Sequence, residues 1–66
     1  MMFPEDYLAD HYCEGYASAE RDHEDGADLA AMLLLAEALH EMRDDPDRKA
    51  YYRGRMDYLR GALRAG

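Results

Sequence analysis

The apolar residues of the chain recur every three or four positions in three segments, which is the spacing of one face of an α-helix. The first stripe comprises Leu8, Tyr12, Gly15, Tyr16 and Ala19. The second comprises Met32, Leu35, Leu39 and Met42, and the third Tyr52, Met56, Leu59 and Leu63. The pattern predicts one all-α domain, a compact three-helix bundle with helices at about 4–20, 26–43 and 46–64.

The composition and the residues at the predicted helix ends agree with this prediction. The 66 residues include no Val, Ile, Thr or Trp, and β-branched and aromatic side chains are those that strands favour. Asp45 and Pro46 form a good helix start. Gly26 and the acids around it indicate a turn, after which Asp25 is predicted to cap the second helix, with Asp28 in its first turn.

The second helix is the most apolar, because Leu33 and Leu34 widen its stripe to more than half of the circumference. Such a helix is expected to have neighbours on two sides, so we predict that it is the middle helix of the bundle. The predicted core comprises Leu8, Tyr12, Met32, Leu35, Leu39, Met56, Leu59 and Leu63.

Two segments resemble each other, YCEGYASAER and YYRGRMDYLR, and each has a glycine three residues after a tyrosine. These glycines are Gly15 and Gly54. Since a glycine inside a helix costs about 1 kcal/mol relative to alanine, we predict that they allow two helices to approach closely where they cross.

Size, cysteine content and hydropathy favour a cytoplasmic location. Cys13 is the single cysteine, so an internal disulfide is excluded, and a lone cysteine is typical of a reducing compartment. The N-terminal MMFPEDY lacks the basic start of a signal peptide. The longest apolar run, Leu29 to Ala36, is far shorter than the roughly 20 residues of a membrane span.

The net charge of −7 is unevenly distributed. Residues 1–45 hold thirteen acids and two bases, whereas residues 46–66 hold two acids and six bases. Acids recur every fourth residue in the first helix and then cluster in ERDHEDGAD. The predicted partner-binding residues are Asp6, Asp10, Glu14, Glu20, Asp22, Glu24, Asp25 and Asp28. Two interpretations stay open, a solvated surface that keeps the chain soluble and a surface that is steered to a basic groove.

The tyrosines and the few reactive side chains are the remaining candidates for partner binding and catalysis. Tyr7, Tyr51 and Tyr58 are predicted as secondary partner-binding residues, because tyrosine buries a large area and still offers a hydroxyl. Ser18 is the only hydroxyl nucleophile outside tyrosine. His11 and Cys13 are two residues apart and therefore point to different faces of a helix, so no catalysis is expected.

Two Glu-x-x-His pairs, Glu20/His23 and Glu37/His40, have the spacing used in helical di-metal sites. The further ligands of such a site would be Glu14 and Glu41. However, His23 falls in the predicted turn and the second pair lies on the polar side of its helix. We therefore expect surface histidines and no metal or other cofactor, and keep a small metalloprotein as an alternative.

In size, acidity and helicity, with DYLADHYCEGY and ERDHEDGAD carrying the charge, the chain resembles the small acidic phage anti-CRISPR proteins, in particular the all-helical DNA mimics that inhibit type I systems. The resemblance covers the whole chain and rests on no specific motif. It implies binding to the basic DNA-recognition surface of the Cascade complex, exclusion of target DNA, and action in the bacterial host cytoplasm. The basic third helix departs from this pattern.

A second alternative is a structural or regulatory helical module in which Leu33, Leu34 and Tyr51 meet a second copy of the chain. A monomer is expected over a homodimer. No direct binding of nucleic acid and no membrane contact are expected.

Overall fold

The computed structural model describes the backbone of residues 4–65 and the side chains of residues 8–65. It contains three helices, α1 (Pro4–Glu24), α2 (Leu29–Met42) and α3 (Pro46–Ala65), and no strand in the part of the chain that it describes. The predicted all-α fold of three helices is confirmed. Two predicted site residues, Asp6 and Tyr7, lie outside the described side chains.

Helix α1 runs four residues further than predicted, through the first half of the acidic cluster. It ends at Glu24, two residues before Gly26, whose φ of 87° is in the left-handed region that favours glycine. The Gly26 N–H donates to the carbonyl of His23 at 3.0 Å, and the Ala27 N–H donates to that of Asp22 at 3.1 Å. These two bonds form a Schellman motif, so Gly26 terminates α1 and does not begin α2.

Helix α2 begins at Leu29 and is capped by Asp28. The Asp28 carboxylate accepts from the backbone N–H groups of Ala30, at 3.1 Å, and Ala31, at 3.3 Å. The prediction that Asp25 is the cap was wrong, because the extended α1 and its glycine shift the start of α2 by three residues. The predicted start of α3 at Pro46 is confirmed.

The central helix of the fold is α3, which packs against both other helices, while α1 and α2 share few contacts. The prediction that the second helix is the middle one was therefore wrong. The basic α3 has apolar residues on two of its faces, with Tyr51 and Tyr58 directed to α1 and Met56 and Leu59 to the core beside α2. Helix α2 is more apolar than its one main neighbour requires, so its composition does not indicate a middle position.

The core is small. The buried hydrophobic residues of the described chain are Ala19, Ala36, Met56 and Leu59. Met56 and Leu59 were predicted correctly, and Met32 packs against them. Leu35 and Leu63 were predicted in the core but are 61% and 41% exposed. Leu35 borders an open cleft between α2 and α3, beside Tyr52 and Arg55, and Leu63 lies near the end of α3.

The crossing of α1 and α3 confirms the predicted role of the two glycines. A Cβ atom added to Gly15 would lie 1.8 Å from the carbonyl oxygen of Tyr51, and one added to Gly54 would lie 2.0 Å from that of Tyr12. Each glycine of the two similar segments thus contacts the backbone of the tyrosine in the other. Both glycines are buried at this contact.

We expect Gly15→Ala and Gly54→Ala each to lower the free energy of unfolding by about 1–3 kcal/mol, because a methyl group in a filled space forces the helices apart. Gly61→Ala is the matched control, since Gly61 is in the same helix as Gly54 and has nothing within 4 Å of its Cβ position. It should gain about 0.5–1 kcal/mol of stability. Thermal unfolding measures both, and equal effects at Gly15 and Gly61 would contradict the crossing.

We expect Leu59→Ala to cost about 2–5 kcal/mol, because Leu59 is fully buried. Leu35→Ala removes the same atoms from an exposed position and should stay within about 0.5 kcal/mol in dilute solution. Chemical denaturation followed by circular dichroism distinguishes the two variants. A larger loss for Leu35→Ala than for Leu59→Ala would contradict the core described above.

Candidate functional site

The outward side of α1 carries most of the exposed negative charge. The exposed acids of α1 and the following turn are Asp10, Glu14, Glu20, Glu24 and Asp25. Arg21 is the only arginine or lysine of the helix. With about 100° of rotation per residue, the four helical acids cover roughly 120° of the surface of α1. They form a broad acidic face, not a single line, and we call these five residues the acidic face of α1.

Two of the predicted binding residues are engaged inside the fold. Asp22 accepts a hydrogen bond from Nη2 of Arg55 at 3.1 Å, and the Arg55 side chain is only 16% exposed. Asp28 caps α2. Their charges are therefore directed to α3 and to the start of α2, and they are less suited to contact a partner than the acidic face of α1.

Tyr51 and Tyr58 are half-buried and bonded within the fold. The Tyr51 hydroxyl donates to Ser18 Oγ at 3.1 Å. The Tyr58 hydroxyl is hydrogen-bonded to Nδ1 of His23 at 2.8 Å, and its ring meets that of Tyr16 edge to face at 5.1 Å. Both tyrosines support the contact between α1 and α3, and their predicted role in partner binding stays a prediction.

The negative potential of α1 acts on Tyr58. Burial raises the pKa of the Tyr58 hydroxyl, and the charges of Glu20 and Glu24 raise it further. At the opposite end of the crossing, the Tyr12 hydroxyl donates to Oδ2 of Asp57 at 2.5 Å, and this bond is the main cause that raises the pKa of Tyr12. Both hydroxyls therefore stay protonated near neutral pH.

The side chains considered for catalysis and for metal binding are not grouped into one site among the described residues. Ser18 Oγ accepts from Nη1 of Arg55 at 2.9 Å as well as from Tyr51, so this hydroxyl is a hydrogen-bonding link between α1 and α3. Within the described residues, no three side chains of His, Cys, Asp or Glu come together as a metal site would require. Of the two Glu-x-x-His pairs, one lies at the end of α1 and the other on α2.

The basic residues of α3 are divided between internal pairs and the surface. Arg55 pairs with α1 through Asp22, and Arg60 pairs with α2 through Glu37 at 3.6 Å. Arg53 and Arg64 are exposed. Part of the positive charge of α3 therefore offsets acids of its two neighbours, which leaves the outward side of α1 strongly negative.

The outward side of α2 is a second surface, of which the homodimer alternative above included only Leu34. Exposed apolar residues of this side are Ala31, Leu34, Leu35, Ala38 and Met42, and we call them the outer face of α2. The exposed carboxylate of Glu41 borders this face beside Leu34. Leu34 is 71% exposed and Met42 is 77% exposed. The available signal was that α2 has only three polar residues, which is more apolar surface than one neighbouring helix can cover.

Comparison with the known protein families, the curated proteins and the solved structures found no match to this chain. Among the described helices, none is long and apolar enough to cross a membrane.

If Asp22 is structural, Asp22→Asn should lower stability by about 1 kcal/mol, because the largely buried Arg55 loses its charged partner. Glu20→Gln makes the same change two residues earlier, at an exposed position without an ion pair among the described side chains, and should change stability little. Thermal unfolding measures the stability of both variants. An equal change in the two would contradict the structural role of Asp22.

Proposed function

We propose that the chain is a non-catalytic binding protein whose acidic face on α1 docks on a basic surface that another protein uses to hold nucleic acid. The observation that carries the proposal is the outward side of α1, where five exposed carboxylates face solvent beside a single arginine. Binding there excludes nucleic acid from the same surface, so the protein acts as an inhibitor in the cytoplasm.

The charge density of this face supports the proposal. At 1.5 Å per residue, Asp10 to Asp25 spans about 22 Å of helix axis. One strand of B-DNA places about six phosphates over that length, at 3.4 Å each. The five carboxylates less the charge of Arg21 give a net of four over the same length, which is about two thirds of the charge density of one strand. Such a field steers the protein to a basic groove.

The attachment of α1 to α3 also supports the proposal. The helix is held against α3 by the glycine crossing and by the bonds of Ser18 and Asp22 to Arg55. A surface held in this way loses little conformational entropy on binding, which favours affinity. The self-repulsion of so many acids is a cost in a small domain, and a binding role gives a reason for it.

The resemblance to anti-CRISPR DNA mimics suggests a specific partner, the DNA-recognition surface of a type I CRISPR effector complex. The internal pairs made by Arg55 and Arg60 are compatible with this role, because they direct positive charge of α3 towards its neighbours and away from the acidic face.

The first test is the double reversal Glu20→Lys with Glu24→Lys, measured as binding to purified Cascade complex and as release of a target duplex. We expect loss of at least tenfold in affinity with an unchanged helical signal, because both side chains are exposed. Asp22 is left unchanged, since its reversal would disturb Arg55.

The matched control is Glu41→Lys with Asp44→Lys, which also changes the net charge from −7 to −3 but at exposed positions away from α1. It should bind close to the wild-type protein. If the α1 variant folds and binds at full strength, the acidic face is a solvated surface and the proposal is wrong. A pull-down from host lysate identifies a different basic partner if Cascade itself is not bound.

The salt dependence of binding is a second, independent prediction. Binding through the acidic face should weaken steeply between about 50 and 500 mM NaCl, because the screening length falls from beyond 10 Å to a few ångströms. The measurement is the dissociation constant at four or five salt concentrations. An affinity that is constant over this range would indicate an apolar interface instead.

A further inference from the structure

One edge of the acidic face of α1 is aromatic. At about 100° of rotation per residue, Tyr16 lies about 40° around the helix from Glu20, which is the outermost acid on that side of the face. Tyr16 is 42% exposed, whereas the other tyrosines with described side chains are half-buried. A large aromatic ring is therefore open to solvent at the border of the acidic face.

Two other tyrosines hold the ring of Tyr16 in place. The ring of Tyr58, on α3, meets it edge to face at 5.1 Å, and the ring of Tyr12, one turn earlier on α1, lies 6.4 Å away. The hydroxyls of Tyr12 and Tyr58 are themselves bonded, to Asp57 and to His23 respectively. Since its neighbours are fixed in this way, the exposed ring of Tyr16 loses little freedom when it contacts a partner.

Glu20 places a carboxylate beside the exposed ring. It follows Tyr16 by four residues, so the two side chains are neighbours on the helix surface. Helical side chains lean towards the N-terminus, which directs the Glu20 side chain over the turn that carries Tyr16. Glu20 is exposed and has no ion pair among the described side chains. Its negative field reaches the ring pair, because burial first and the charge of Glu20 next raise the pKa of the Tyr58 hydroxyl.

The ligand that suits this ring and carboxylate is a cation. The face of an aromatic ring carries negative potential and attracts cations, and the adjacent carboxylate repels anions. Arg21 of the same helix does not supply the cation, because it lies about 140° around the helix from Tyr16. The ion pairs of α3 with its two neighbours use Asp22 and Glu37. An arginine fits better than a lysine, since a planar guanidinium stacks on a ring and donates a fork of N–H groups to a carboxylate.

We propose that Tyr16 and Glu20 form an anchor that holds one arginine side chain of the basic partner, with the guanidinium against the exposed ring and paired with the carboxylate. This inference rests on the function proposed for the acidic face of α1, and it adds which side chain that face recognises. Surfaces that hold nucleic acid contact the phosphates with arginine and lysine, and tyrosine and arginine are enriched among the residues that dominate binding energy. The other acids of the face supply long-range attraction, and the anchor supplies the preference for arginine.

Two fluorescent peptides of equal charge, octa-arginine and octa-lysine, test the anchor without a purified partner. We expect the protein to bind octa-arginine about two- to fivefold more tightly, which is the range of a cation–π contact at an exposed site. Tyr16→Leu keeps apolar bulk but removes the aromatic face, so it should lose most of that preference. Tyr16→Phe keeps a ring and should retain it. Fluorescence anisotropy at low salt gives the dissociation constants, and circular dichroism checks that each variant is folded.

The carboxylate of the anchor has its own matched pair of variants. Glu20→Gln should lower the preference for octa-arginine, because the guanidinium loses its paired acid. Glu41→Gln makes the same change in net charge at an exposed position of α2 and should leave the preference unchanged. In the wild-type complex, nuclear magnetic resonance should show contacts between the δ-methylene protons of octa-arginine and the ring protons of Tyr16. This measurement needs no variant of Tyr16, so it tests the anchor even if Tyr16→Leu fails to fold.

Two results would overturn the anchor. One is a folded Tyr16→Leu protein that keeps the full preference for octa-arginine. The other is a wild-type complex with octa-arginine that shows no contact to the Tyr16 ring. Cascade binding separates this failure from that of the proposed function. If the double reversal at Glu20 and Glu24 loses binding while Tyr16→Leu keeps it in full, the acidic face is the binding surface and the anchor alone is wrong. A double reversal that binds at full strength overturns the proposed function instead.

Discussion

The close contact between the backbones of α1 and α3 is the constraint on which the rest of this structure depends. At Gly15 and Gly54 there is no room for a methyl group, because the carbonyl oxygens of the opposing helix occupy the space. This approach brings Arg55 within hydrogen-bonding distance of Ser18 and Asp22. It also fixes which side of α1 faces solvent, and that side is the one with the exposed acids.

The same contact explains why α3 is central and why α2 is left half-covered. Since α3 presents one side to α1 and another to α2, the two outer helices scarcely meet. Helix α2 therefore has one neighbour, although its composition would suit two. A core with few buried side chains provides a small margin of stability in a chain of this size, and covering the outer face of α2 would enlarge that margin.

The protein thus has two surfaces of different physical character on different helices. The attraction that we propose for the acidic face of α1 is long-range, depends on salt and determines the rate of encounter. The outer face of α2 is apolar, and burial of apolar area has no direction and depends little on salt. Arg55 and Arg60 connect these parts, because they neutralise one acid on each neighbour of α3.

The sequence alone determined that there are three helices and where α3 starts, since composition and Pro46 act locally, and its two similar segments indicated the glycine crossing. It also located the acids of α1. Only the tertiary structure decided that Leu35 is exposed, that Asp22 is paired with Arg55, and that α3 is the central helix. The physical reason is that a helical stripe shows which residues can be buried together, whereas the number of neighbouring helices depends on how closely the backbones pack.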